Sequence, residues 1–138
     1  MIKTVIDTNV VVSAIFWGGL PRKLLKLVHD GVIQQYATPE IIDEYEEICL
    51  RIGSRLNVEY RPSLDLIIRN LFLVSSIELK QQICEDPDDD IFIACALSSS
   101  ASHILSGDKL LLKVVLPGAE IVTVGEFMKS LEALLQGS

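Results

Sequence analysis

A chain of 138 residues, 49% hydrophobic and 22% charged, has the length and composition of one folded domain with its own core, and not of a disordered or fibrous protein. Twelve Lys and Arg against nineteen Asp and Glu leave a net charge of −7, which argues against passive nucleic-acid binding through a basic surface. The longest uninterrupted apolar run, residues 91–97, is far short of the ~20 residues of a membrane span.

Residues 2–6 form a short β-rich run that ends at Asp7. The apolar stretch 10–17 follows an acid, has only Lys3 as basic charge before it and lacks a small-residue cleavage site, so no signal peptide and a cytoplasmic location are expected. Residues 10–16 read as helix. Gly18-Gly19 breaks it, and a second helix opens at Pro21 and ends at Gly31. Residues 35–37 are the next strand, followed by the helix start Thr38-Pro39. In the helix at 40–51, Ile41, Ile42, Tyr45, Ile48, Cys49 and Ile52 share one stripe, and Gly53 is expected to stop it. Pro62 opens another helix through Leu71, and residues 72–75 are a weaker strand.

The segment 90–99 could begin as a buried strand by periodicity, but Asp86-Pro87 supplies an N-cap with proline after it, and Ala94, Ala96 and Leu97 favour a buried helix. Strands at 103–106 and 121–124 and an amphipathic helix at 125–135 complete the chain. Strands alternating with helices predict an α/β domain with a parallel sheet. Cys49, Cys84 and Cys95 are odd in number, lack CxxC spacing and His partners, and read as reduced, buried thiols. Phe16 and Trp17 are expected in the core, with base stacking as the alternative.

Carboxylates recur where a parallel sheet presents ligands, outside the carboxyl ends of its strands. Asp7 ends the first strand, although it could equally cap the following helix. Asp108 follows the 103–106 strand in Ser106-Gly107-Asp108, a sequence that also suits an ordinary turn. Glu85-Asp86-Pro87-Asp88-Asp89-Asp90 places five acids in six residues ahead of the most apolar stretch, more than a helix N-terminus needs. On the 40–51 helix, Asp43 and Glu47 point away from the apolar stripe, whereas Glu44 and Glu46 flank its edges, and geometry alone does not choose between these two. Hard oxygen donors without His or Cys suit Mg²⁺ or Mn²⁺.

These segments together resemble the PIN-domain family, many of whose members are the ribonuclease toxins of toxin–antitoxin pairs. Val5-Ile6-Asp7-Thr8-Asn9 is similar to the family's first motif, and Thr38-Pro39-Glu40-Ile41-Ile42-Asp43-Glu44 to its second, in which Glu44 is the matching acid. Asp86-Pro87-Asp88-Asp89-Asp90 with the apolar run after it resembles the third, with Asp90 at the helix-opening position, and Ser106-Gly107-Asp108 the fourth. Residues 121–127 resemble a toxin-like branch in which proline often stands where this chain has Val124.

The resemblance implies a single-domain three-layer sandwich over residues 1–138, with a central, mainly parallel sheet of four or five strands flanked by helices. It implies Asp7, Glu44, Asp90 and Asp108 as the catalytic and metal-binding quartet, supported by Asn9 and Ser106, with Mg²⁺ or Mn²⁺ as cofactor. RNA as substrate, an antitoxin protein as partner and a homodimer are further implications. Two rivals are a PIN-like interaction module without activity and a phosphotransfer or phosphatase domain. Against the second, Asn9 stands where a dehalogenase-type site would need a second acid.

Overall fold

A computed structural model describes residues 1–136. Five strands, β1 (Ile2–Ile6), β2 (Ile33–Ala37), β3 (Phe72–Leu73), β4 (His103–Leu105) and β5 (Glu120–Val122), form one sheet in the order β3-β2-β1-β4-β5, every pairing parallel. The helices are α1 (Thr8–Phe16), α2 (Gly19–His29), α3 (Pro39–Leu56), α4 (Arg61–Asn70), α5 (Asp90–Ser99), α6 (Lys109–Leu112) and α7 (Val124–Gln136). The result is the expected α/β sandwich. β1 lies in the middle, and the strand order reverses between β1 and β4: the chain first builds outward through β2 and β3, then returns to the other side of β1.

That central position explains the apolar character of β1. Val5 and Ile6 are fully buried, and Thr4, buried as well, spends its hydroxyl on the Gln34 carbonyl at 2.8 Å. α5 is buried nearly all round, through Phe92, Ile93, Ala94, Cys95 and Ala96, because it packs across β1, β2 and β4. This contact settles the ambiguity of its sequence in favour of helix. On α3 the buried residues Ile41, Tyr45, Cys49 and Gly53 form the expected stripe. All three cysteines are free and buried.

Several boundaries differ from the sequence reading: α1 starts at Thr8, α2 at Gly19 and β2 at Ile33, and three further differences have a clear physical reason. The final helix begins at Val124 and not after it, because Thr123 caps it: the Glu126 amide donates to the Thr123 hydroxyl at 3.1 Å and that hydroxyl donates to the Glu126 carboxylate at 3.0 Å. The weak strand shrinks to two residues, continued only by the Val74 amide donating to the Ala37 carbonyl at 2.9 Å. Gly53 does not stop α3. The helix runs on to Leu56 and ends at Asn57 in the left-handed conformation, φ 54°. Gly53 is there because the Tyr60 ring lies against it: a β-carbon would come within 2.5 Å of the ring.

Gly53→Ala is therefore expected to destabilise the protein by about 1–2 kcal/mol, overpacking outweighing the better helix propensity of alanine. In a Tyr60→Ala background the same change should become neutral or stabilising. Urea denaturation of the four variants of this cycle checks both signs.

Candidate active site

The carboxyl ends of β1 and β4 are neighbours at the point where the strand order reverses, the usual location of a ligand crevice in an open parallel sheet. β1 delivers Asp7 there. Its amide continues the ladder by donating to the Leu105 carbonyl at 3.0 Å, and its side chain, only 4% exposed, makes no capping hydrogen bond to α1. Instead the Asp7 carboxylate accepts from the Ser106 hydroxyl at 2.7 Å. Ser106 is fully buried and its oxygen accepts in turn from the Asp108 amide at 2.9 Å, so one serine couples the two strand-end acids. Asp108 also caps α6, its carboxylate accepting from the Leu110 and Leu111 amides at 2.8 and 3.3 Å.

α3 brings Glu44 to the same place. Its carboxylate accepts a hydrogen bond from the Thr8 hydroxyl, which links the start of α1 to α3. The next residue, Tyr45, is buried and donates to the Ile6 carbonyl while accepting from Gln35 Nε2 at 3.3 Å, pinning α3 to the end of β1 beside Asp7. Glu46 faces elsewhere, 3.6 Å from Arg61. The structure thus separates two acids that the helical wheel left equivalent. Thr8 and Tyr45 were not identified from sequence; Thr8, between Asp7 and Asn9 at a strand end, was the legible one. Asn9 stands exposed on the first turn of α1.

The third motif supplies two adjacent acids with different surroundings. Asp90 opens α5, but its two carboxylate oxygens accept from the Ile83 and Cys84 amides at 3.0 and 2.7 Å, so it anchors the preceding loop. Asp89 is the acid coupled to the cluster. A 3-10 turn, Pro87–Asp89, capped by Asp86, precedes the helix. In such a turn successive side chains are ~120° apart and not ~100°. Burial, then the negative charges of Asp108, Asp7, Asp86 and Glu44, push the Asp89 carboxyl up to about 7 from its ordinary 3.8.

Burial likewise raises Asp7, helped by the charge of Asp108; the Ser106 hydroxyl and the nearby Asn9 and Thr8 amides oppose it without forming a cap. Glu44 is raised by burial against the opposing Thr8 hydrogen bond, with the Asp7, Asp88 and Glu47 charges adding to the rise. Among the described residues no Lys, Arg or His forms an ion pair with Asp7, Glu44, Asp89 or Asp108.

A cluster of desolvated, uncompensated oxygen donors fits a hard divalent cation. Among the described residues no three His, Cys, Asp or Glu side chains stand close enough to chelate one ion. A Mg²⁺-type ion does not require that, since it keeps several waters and is held by one or two carboxylates. Beside the cluster lies an open groove of ≈ 680 Å³, lined by Glu44, Glu47, Arg51 and Asp88 among others.

Asp89 and Asp90 make opposite predictions for stability in chelator. Between pH 4 and 7 the native state holds a proton on Asp89 that the unfolded chain has released, so stability falls as pH rises through that window and the cost is constant above it. Asp89→Asn should remove this slope and stabilise the protein at pH 8 by about 1 kcal/mol, allowing for solvent screening at a half-exposed position. Asp90→Asn can keep only one of its two amide acceptors and should destabilise by about 1–2 kcal/mol. Urea midpoints at pH 5 and pH 8 measure both effects.

Comparison with known proteins agrees with this fold. The chain is 35% identical over 120 residues to an uncharacterized protein of Methanocaldococcus jannaschii, MJ1680, an alignment spanning 82% of this chain and 75% of the relative. Its fold is similar to the crystal structure of PAE2754 from Pyrobaculum aerophilum, with a TM-score of 0.60 at 15% identity over 96% of this chain and 90% of the other. The family model of the PIN domain matches residues 3–110, a stretch that contains Asp7, Glu44, Asp89, Asp90 and Asp108, and the chain belongs to the PIN domain family, whose members are in general nucleases.

Proposed function

We propose that the protein is a Mg²⁺- or Mn²⁺-dependent ribonuclease acting through Asp7, Glu44, Asp89 and Asp108. The observation that carries this reading is the set of carboxylates raised by burial and by one another at the sheet's switch point, with no basic side chain paired to them among the described residues. Crowded anions of this kind are costly without a cation. In this reading Asp89, and not Asp90, supplies the third acid, because Asp90 is already bound to two backbone amides.

Asp7 and Asp89 would hold the ion, with Glu44 and Asp108 close enough in charge to reinforce it. When bound, a divalent ion polarises a phosphate and lowers the pKa of a coordinated water for in-line attack. The chain's own residues do the positioning. Ser106 fixes the rotamer of Asp7 by donating to it, and Thr8 does the same for Glu44. Tyr45 ties α3 to β1, so that the two acids cannot drift apart.

RNA as the substrate follows the resemblance to ribonuclease toxins, and the same resemblance makes an antitoxin protein and a second copy of the chain the partners to seek. Labelled RNA incubated with the purified protein and Mn²⁺ tests the activity, with Asp7→Asn as control. Absence of metal-dependent cleavage by the wild type would leave an interaction module.

Among the acids, Asp89→Asn and Glu44→Gln are expected to lower cleavage by well over about tenfold, since misplacing a catalytic group by ~1 Å can cost ~100-fold. Glu46→Gln, held 3.6 Å from Arg61, should be near wild type. If Asp90→Asn abolishes cleavage while Asp89→Asn does not, the two acids must be exchanged in the assignment.

A further inference from the structure

The loop joining α1 to α2 carries a feature that the acidic centre does not use. Trp17 is 63% exposed, contrary to the expectation of core packing, whereas Phe16 beside it is half-buried. The two rings lie 5.9 Å apart at 55°, and Phe16 is itself 6.3 Å from the Tyr60 ring. An exposed indole is thus backed by an aromatic pair joined to the scaffold.

Its electrostatic setting differs from that of the whole chain. From Thr8 to His29 there is no carboxylate, and Arg22, Lys23 and Lys26 are present, in a protein of net charge −7. Arg22 is fixed at the end of α1, its guanidinium donating to the Ala14 and Ile15 carbonyls at 2.9 and 3.2 Å. Lys23 is exposed, and among the described residues it forms no ion pair.

We propose that Trp17, on the segment that also carries Arg22 and Lys23, is a base-stacking subsite for a single strand of nucleic acid whose scissile phosphate lies at the acidic centre. This rests on the nuclease reading above. α1 begins beside Asp7 and ends at Trp17, so the nine helical residues between them span ~13 Å. That distance corresponds to about four stacked nucleotides at ~3.4 Å each, and fewer in an extended strand. A strongly acidic protein cannot gather a polyanion by its overall field, whereas stacking on an aromatic face is indifferent to net charge and to base identity. A base on Trp17 would also lie on a stretch, residues 8–29, whose charged side chains are basic, including Arg22 and Lys23.

Trp17 is the chain's only tryptophan, so intrinsic fluorescence reads the proposed contact directly. Titration of the wild-type protein with a short, cleavage-resistant phosphorothioate oligouridylate in Mg²⁺ is expected to quench the emission saturably. In the otherwise wild-type enzyme, Trp17→Ala should raise KM for single-stranded RNA at least about tenfold with kcat little changed, and Trp17→Phe should restore most of the loss.

Unmoved emission at oligonucleotide concentrations that saturate cleavage, or an unchanged KM for Trp17→Ala, overturns the subsite and leaves the nuclease assignment standing. Emission that responds to protein concentration alone, with Trp17→Ala converting a dimer to a monomer in sedimentation, also overturns it and makes the surface a self-association contact. Saturable quenching by the oligonucleotide in a wild type that does not cleave RNA would support the stacking surface while removing the nuclease reading.

Discussion

Asp7 is a carboxylate with almost no exposed surface, at the end of the central strand of the sheet, and the remainder of the site is arranged around the cost of keeping it there. An isolated buried anion is strongly unfavourable, so its partners are obligatory. The Ser106 hydroxyl supplies one hydrogen bond, and parallel pairing of β1 with β4 is what brings that serine, 99 residues away in sequence, within 2.7 Å. Burial first, and then the charges of neighbouring acids, raise Glu44 and Asp89 as well. The sheet therefore holds the acids against their mutual repulsion, a condition in which an arriving cation gains most.

Much of this was legible because the relevant signals are local. A β-rich run followed at once by an acid marks a strand end, and Ser106-Gly107-Asp108 marks another; the parallel topology then makes them neighbours without further information. The stripe on α3 and the capping signal at Thr38 and Pro39 placed that helix correctly. Where the reading failed, the deciding contact was short-range but set by three-dimensional geometry that residue types do not display. Gly53 looked like a stop signal because sequence spacing does not show that the Tyr60 ring folds back against it. Val124 looked like strand because its β-branched side chain outweighed a Thr123 cap whose hydrogen bonds only the fold displays.

The third acid shows the limit most clearly. Asp88, Asp89 and Asp90 are chemically identical, and only backbone direction distinguishes them. Asp89 closes a 3-10 turn, where burial and the charges of Asp108, Asp7, Asp86 and Glu44 raise its carboxyl, while Asp90 accepts from the amides of Ile83 and Cys84. A helical wheel begun at Asp90 cannot reveal this, because it presumes the geometry that the turn breaks. Glu44 and Glu46 posed the same problem on a regular helix, and there one partner decides each: Thr8 for Glu44, Arg61 for Glu46.

Charge is distributed in a way that divides labour between attraction and chemistry. The acidic groove beside α3 repels a phosphate backbone until cations enter it, so the chain's net charge of −7 and its proposed substrate are compatible only if binding and metal occupancy are coupled. The α1–α2 segment supplies a different environment: Arg22, Lys23 and an exposed indole, with Lys26 paired to Asp30 at its end. In the proposed reading one end of α1 would serve the metal and the other a neutral ring. Because a rigid helix fixes the distance between them, a strand engaged at Trp17 would meet the carboxylates at a set number of nucleotides, and the length of α1 would act as the ruler for cleavage.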